Sequence, residues 1–248
     1  MKIVAIGGGE IGRPGFPIET TKIDKEIITL TGKKNPRLLF IPTASSDSES
    51  YYKVVKKHFG KRLGCKTDVL YLIKEKLSKK QIEERIFNSD IIYVGGGNTA
   101  KLMKVWRKAG LDKILKKAGE KGIVLLGISA GAICWCRYGI SDSRRFKNPN
   151  APLFRVSGLG FVNVLYCPHY DTEPHRKAGL KDMMKKTPGV SVALENCCAL
   201  EIIDDKYRII NSKKTARAHR IYWKKGRAYE EIIKLDEEMK PLLEVLNK

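Results

Sequence analysis

The chain is poor in several things that would otherwise direct its reading. Among its 248 residues there are only 4 His and 27 Asp+Glu, against 48 Lys+Arg, which leaves a formal net charge of +21. No apolar run approaches the roughly 18–20 residues that a membrane-spanning helix needs. The start, MKIVAIGGGEIG, has one Lys and a four-residue apolar stretch, too short for the apolar core of a signal peptide, and points to a cytoplasmic protein. The six cysteines (65, 134, 136, 167, 197 and 198) lack the paired C-x2-C spacing of a zinc site, which favours reduced, buried thiols. The C-x-C at 134–136 is the single weak metal hint, and no cofactor is implied. Internal repeats, low-complexity tracts and long linkers are missing too, so one domain over 1–248 is expected.

What is present is a filled core and alternation. Hydrophobic residues make up 42% of the chain, too many for global disorder. The excess of Lys is spread along the sequence, as a solvated surface would be, which weighs against nucleic acid as a partner. Short apolar runs at Lys2–Ile6, Arg37–Pro42, Asp90–Val94 and Gly122–Leu126 read as buried strands, and Lys66–Leu72 as an alternating one. Between them lie helices over Lys22–Thr31, from Ser45–Ser50 to Arg62, over Ser78–Phe87 behind an S-x-x-Q capping box, from Asn98 to Ala109, and over Leu111–Glu120. The pattern predicts an α/β fold, three layers α/β/α around a mostly parallel sheet. After Ser129 come strands at Leu153–Ser157, Asn163–Cys167, Val190–Leu194, Cys198–Ile203 and Tyr207–Ile210. A helix over Pro174–Lys186 and a terminal one over Leu235–Leu246 complete the reading. The late strands are expected to add antiparallel to the same sheet.

Gly7-x-Gly9-x-x-Gly12 matches a dinucleotide-binding pattern by letter. Arg13-Pro14-Gly15-Phe16-Pro17 follows it, however, and cannot be the helix that such a site requires. The better reading is a Gly-rich loop close to the site. Gly127-Ile128-Ser129-Ala130-Gly131 is stronger: G-x-S-x-G between a strand and a helix-compatible run is a nucleophile elbow. Tyr93-Val94-Gly95-Gly96-Gly97-Asn98-Thr99 ends the neighbouring strand, where its N–H groups can serve an oxyanion and Asn98 or Thr99 can cap the next helix. Of the histidines, His58 and His219 read as surface residues. His169, after a strand in Tyr166-Cys167-Pro168-His169-Tyr170-Asp171, is the candidate base, with His175 in reserve. The acid that orients it is open among Glu195, Asp171, Asp142 and Glu201, with Glu195 best placed.

VGGGNT, the GISAGA elbow and PHYD, in that order, resemble peptidase E, the aspartyl dipeptidases of peptidase family S51, within the class I glutamine-amidotransferase-like superfamily. The likeness extends over some 200 residues, from MKIVAIGGGE to ALENCCALEIIDD. It implies a serine peptidase acting on short peptides, with Ser129 as nucleophile, His169 as base and Gly96, Gly97 and Ala130 as the oxyanion hole. The third residue maps to Glu195, with Asn196 one position away. Specificity for an N-terminal Asp would need a cation, for which Arg176, or Arg144 and Arg145, are the candidates; Asn98 is a further candidate substrate contact. The partner implied is a small peptide, and a homodimer is compatible. A cyanophycinase-like hydrolase of β-aspartyl peptides, or a binding protein on the same scaffold, are the rival readings.

Overall fold

A computed structural model describes residues 1–247, apart from the side chain of Pro174. The first half is built from five parallel strands, β1 (Lys2–Ile6), β2 (Arg37–Ile41), β3 (Lys66–Val69), β4 (Ile91–Val94) and β5 (Val124–Ile128). Helices α1 (Thr21–Thr29), α2 (Glu49–Val55), α3 (Lys79–Phe87), α4 (Thr99–Ala109) and α5 (Leu111–Glu120) connect them. The parallel order is β1-β5-β4-β2-β3. Alternate side chains enter opposite cores, as a two-residue period requires. Val4, Ile6, Leu38, Phe40, Ile91 and Tyr93 pack beneath α1 and α2 with Ile23, Ile27 and Val55. Ile3, Ala5, Leu39, Ile41, Ile92 and Val94 face the other way, onto Leu102, Trp106, Ile114 and Leu115 of α4 and α5. A strand buried on both faces has no polar positions, which is why these segments read as continuous apolar runs.

Local sequence sets the helix ends. Ser78 and Gln81 close the expected capping box, while Ser48 and Asn98 each accept from the backbone N–H three residues on. The helix expected to reach Arg62 does so, but it widens to a π-helix over Lys56–Arg62. This puts His58 and Phe59 into the core, with His58 2% exposed. The surface expectation for His58 is thereby corrected.

Beyond the elbow the expected antiparallel strands do join the edge of the first sheet, but the remaining strands form a second sheet that was not expected. A one-turn helix α6 (Ala130–Ile133) leads into β6 (Cys136–Ser141), β7 (Phe154–Ser157) and β8 (Val162–Cys167), then α7 (Pro174–Met184) and β9 (Val190–Leu194). Strands β10 (Cys198–Ile203) and β11 (Lys206–Asn211) precede β12 (Ala218–Lys224) and β13 (Arg227–Ile233). β10 pairs antiparallel with β1 and β11 with β10, and a short β14 (Lys240–Pro241) closes that edge. β6–β9, β12 and β13 form a second, six-stranded sheet of their own, in the order β13-β12-β9-β8-β6-β7. The terminal helix expected over Leu235–Leu246 shrinks to α8 (Leu243–Leu246). Val162, Val164, Val192 and Leu194 of the second sheet share one apolar cluster with Ile3 and Leu125 of the first. β9 runs into β10 through Glu195–Cys197, so a residue there bridges the two sheets at the carboxyl end of β1.

Candidate active site

The elbow is set by steric necessity. Ser129 adopts φ 55°, ψ −113°, outside the regions favoured by side-chain-bearing residues, a strain of about 1–3 kcal/mol. A Cβ on Gly127 would lie 2.1 Å from the Gly131 carbonyl oxygen, and one on Gly131 2.0 Å from that of Val94. Neither position admits a side chain. The Ser129 N–H donates to the Ile6 carbonyl at 3.0 Å, which ties the elbow to the end of β1.

The same end of β1 holds the other two parts of the site. His169 N–H donates to the Gly7 carbonyl (3.2 Å) and Cys197 N–H to the Gly8 carbonyl (2.8 Å). His169 Nε2 lies 2.9 Å from Ser129 Oγ, and its Nδ1 lies 2.8 Å from Asn196 Oδ1. With the amide oxygen accepting from Nδ1–H, Nε2 carries the lone pair that faces the serine hydroxyl. A Cβ on Gly8 would stand 2.0 Å from Asn196 Oδ1 and 2.5 Å from the imidazole, so the Gly-rich loop is bare where the site needs room. Asp171 Oδ1 accepts from the Asn196 N–H at 2.9 Å and fixes that residue's backbone.

The expectation for Glu195 is corrected here. Its carboxylate accepts from the Arg217 N–H (2.8 Å) and meets His219 Nε2 (3.2 Å), on the side facing β12. Asn196 lies in the turn that follows β9, and its side chain, not that of Glu195, faces the imidazole. His219, expected at the surface, is 8% exposed beneath the Tyr170 ring. The remaining acids are engaged elsewhere: Asp142 with Arg176 (3.5 Å), and the buried Glu201 with Arg208 (3.0 Å). Burial raises the Glu201 carboxyl above its ordinary range despite that arginine. His175 pairs with Arg145 (2.8 Å) and Glu173 (3.2 Å) and stands apart from Ser129.

Around the serine, Gly96 packs so that a Cβ would lie 3.5 Å from Ser129 Cβ. Gly97 has φ 135°, with the Ala44 carbonyl oxygen 2.5 Å from where a Cβ would be. Ala130 opens α6, where a first-turn N–H has no intrahelical acceptor. Tyr51 stands beside the same loop, where a Cβ on Gly95 would lie 2.9 Å from its ring; burial raises the phenols of Tyr51 and Tyr93.

The candidate substrate contacts fare differently. Arg176 is almost wholly buried, bonded to Glu173 Oε2 (2.7 Å) and the Ile140 carbonyl (3.3 Å) as well as paired with Asp142, so its charge is already matched. Arg144 lies over the Phe154 ring and Arg145 donates to the Ala151 carbonyl. Asn98 caps α4 through Oδ1 to the Lys101 N–H, and its amide donates to the Ser143 carbonyl at 3.2 Å. Cys134 and Cys136 are buried thiols whose titration burial drives up, and no metal-holding cluster occurs among the described residues.

Comparison with known proteins identifies the family. The model of peptidase family S51 matches residues 3–210. The uncharacterized peptidase YgaJ of Bacillus subtilis is 36% identical over 224 residues, 89% of this chain and 91% of its own. Peptidase E of a Nostoc species is 27% identical over 76% of this chain and 78% of its own. Among solved structures, a peptidase from an acI-B1 Actinobacterium superposes with a TM-score of 0.73 at 20% identity, over 97% of this chain and 96% of its own. A putative peptidase E of Listeria monocytogenes gives 0.64 at 20% identity, over 85% of this chain and 98% of its own. The chain belongs to peptidase family S51 and is a serine-type peptidase.

Proposed function

We propose that the protein hydrolyses short peptides through an acyl-enzyme formed on Ser129, with His169 as general base and Asn196 as the residue that orients it. The observation that carries this reading is the relay Ser129 Oγ–His169 Nε2–Asn196 Oδ1, at 2.9 and 2.8 Å. His169 takes the hydroxyl proton at Nε2 as Oγ attacks the scissile carbonyl, and returns it to the leaving amine. Water then repeats the sequence on the ester. The N–H groups of Ala130, Gly96 and Gly97 stabilise the oxyanion, each donor worth about 2.7–4 kcal/mol in the transition state.

Asn196 makes the relay neutral. It selects the imidazole tautomer and its angle, but it adds no negative charge to hold the imidazolium. The Asp-Xaa dipeptides implied by the sequence resemblance belong in the substrate panel, although Arg176 is committed to Glu173 and Asp142 rather than free for a substrate carboxylate. The test is hydrolysis of a dipeptide panel by wild type and Ser129→Ala, with labelling by a fluorophosphonate. Loss of both cleavage and label in Ser129→Ala is expected; cleavage that survives the substitution rejects the assignment.

A further inference from the structure

A groove of about 930 Å³, which reaches Ile128 next to Ser129, is not used by the relay. One wall is the 9–14 loop and the other is α2. Its floor is Tyr93 and Ile128, 1% and 6% exposed, the latter next in the chain to Ser129. Tyr51, Val54 and Ile11 line the sides, and a Cβ on Gly95 would stand 2.9 Å from the Tyr51 ring, so the groove reaches the glycine loop that ends β4. The loop wall is cross-linked at its base. Glu19 N–H donates to the Glu10 carbonyl at 2.7 Å, Ile11 bridges to Ile18, and a Cβ on Gly12 (φ 86°) would strike the Ile18 side chain at 2.7 Å.

Charge is confined to the rim and is of mixed sign. Lys53 and Lys57 are exposed there, while Glu10 supplies the one carboxylate among the described lining residues. Its partner Arg13 (2.7 Å) is an exposed side chain stacked on the exposed Phe16, a surface pair that contributes little and is easily exchanged. Glu10 and Arg13 both lie near enough to the Tyr51 phenol to act on its titration, in opposite directions. The deep part holds no cation. A substrate carboxylate placed over Tyr93 and Ile128 would lose its water without gaining a partner, whereas an aromatic or long aliphatic side chain would be buried there at a gain.

Resting on the serine-peptidase reading above, we infer that this groove is the specificity pocket of the enzyme. It accepts a bulky apolar residue next to the scissile bond, and Glu10 receives the free α-amino group of the peptide. The protein is therefore an unblocked-N-terminus peptidase with a preference for residues such as Phe or Leu over Asp.

The experiment measures kcat/KM of the wild type for Phe-Ala, Leu-Ala, Ala-Ala and Asp-Ala, free and N-acetylated, beside Val54→Trp, Val54→Phe and Glu10→Gln. Hydrolysis of p-nitrophenyl acetate and fluorophosphonate labelling serve as controls for an intact Ser129. Filling the groove at Val54 should lower kcat/KM for Phe-Ala by about tenfold or more and leave Ala-Ala within about threefold. Glu10→Gln should raise KM for the free peptides by about 10-fold or more, with little effect on the acetylated ones. Asp-Ala cleaved faster than Phe-Ala, or Val54 variants that lower all substrates equally with the ester rate intact, would overturn the pocket. Ester turnover that persists in Ser129→Ala would instead sink the catalytic reading, so the two failures are separable.

Discussion

Asn196 Oδ1 stands 2.8 Å from His169 Nδ1, while the carboxylate of Glu195, its neighbour in the chain, is turned to Arg217 and His219. The two residues therefore have different consequences when removed. Asn196→Ala frees the imidazole to take the other tautomer and to rotate, and kcat should fall by about 10²-fold or more, up to the roughly 10⁴-fold seen when a triad's charged orienting residue is lost. Glu195→Gln keeps the acceptor for Arg217 and should leave kcat within a few-fold. Steady-state kinetics on any cleaved dipeptide checks both. Equal losses in the two variants would mean that Glu195 acts on the imidazole after all.

Gly8 is the position where a single methyl group should be most damaging to catalysis without damaging the fold. Its Cβ would collide with Asn196 Oδ1 at 2.0 Å and with the imidazole at 2.5 Å, both of them side chains in a half-open site. Gly8→Ala should give a soluble protein with a near-normal melting temperature and kcat lowered by about 10²-fold, the scale of a 1 Å misplacement of a catalytic group. Gly131→Ala is the contrast. There the obstacle is the Val94 backbone at 2.0 Å, so the expected outcome is a failure to fold, seen as insoluble expression.

The strand-turn-helix around Ser129 and the strand end before His169 were legible because both patterns are local: small residues flank the serine, and the histidine follows an apolar run. The parallel strands were legible because burial on both faces leaves unbroken apolar runs. Asn196 was not, since which of two adjacent side chains faces the imidazole depends on the turn between β9 and β10 and on Gly8. The second sheet was hidden for a related reason. β13 is mostly exposed, and its polar sequence RAYEEII becomes a strand by pairing with β12. β6 follows a one-turn helix, where Cys134-Trp135 reads equally well as helix. His58 looked like a surface residue because it stands in a run of lysines, and the π-helix that turns it inward has no signature in spacing.

Glu173 gives the site a dependence on acid. Burial alone would raise its carboxyl, but the hydrogen bond and charge of Arg176 outweigh burial and hold it below 4.5. A carboxyl lowered in the folded state stabilises that state fully above its unfolded pKa, and the contribution disappears as pH falls through the folded value. Glu173 is also fastened by its N–H to the His169 carbonyl at 3.2 Å, so acid should loosen the segment that carries His169. The stability difference between wild type and Glu173→Gln, about 1 kcal/mol for this partly exposed pair, should be present at pH 7 and shrink towards zero as pH falls through the lowered folded value. Urea unfolding at pH 7 and below that value measures it. A difference that persists at low pH would contradict the linkage.

The Asp24–His58 pair should be the most sensitive polar contact in the core beneath α1. His58 Nε2 lies 2.8 Å from Asp24 Oδ2, Thr20 donates its hydroxyl to the same oxygen at 2.7 Å, and both side chains of the pair are 1% exposed. Removing the imidazole leaves Asp24 buried with the threonine hydroxyl as its remaining side-chain partner. Loss of one member of a buried pair costs about 3–5 kcal/mol, which for a chain of this size is a fall in Tm of roughly 6–20 °C. His58→Ala should show this fall, and Asp24→Asn a smaller one, because a neutral amide retains the hydrogen bonds without the buried charge. Neither residue reaches the serine, so kcat at low temperature should stay within about twofold while the melting curve moves. Calorimetry and kinetics on the same preparations separate the two effects: a large loss of kcat with an unchanged Tm would place His58 in the chemistry rather than in the core.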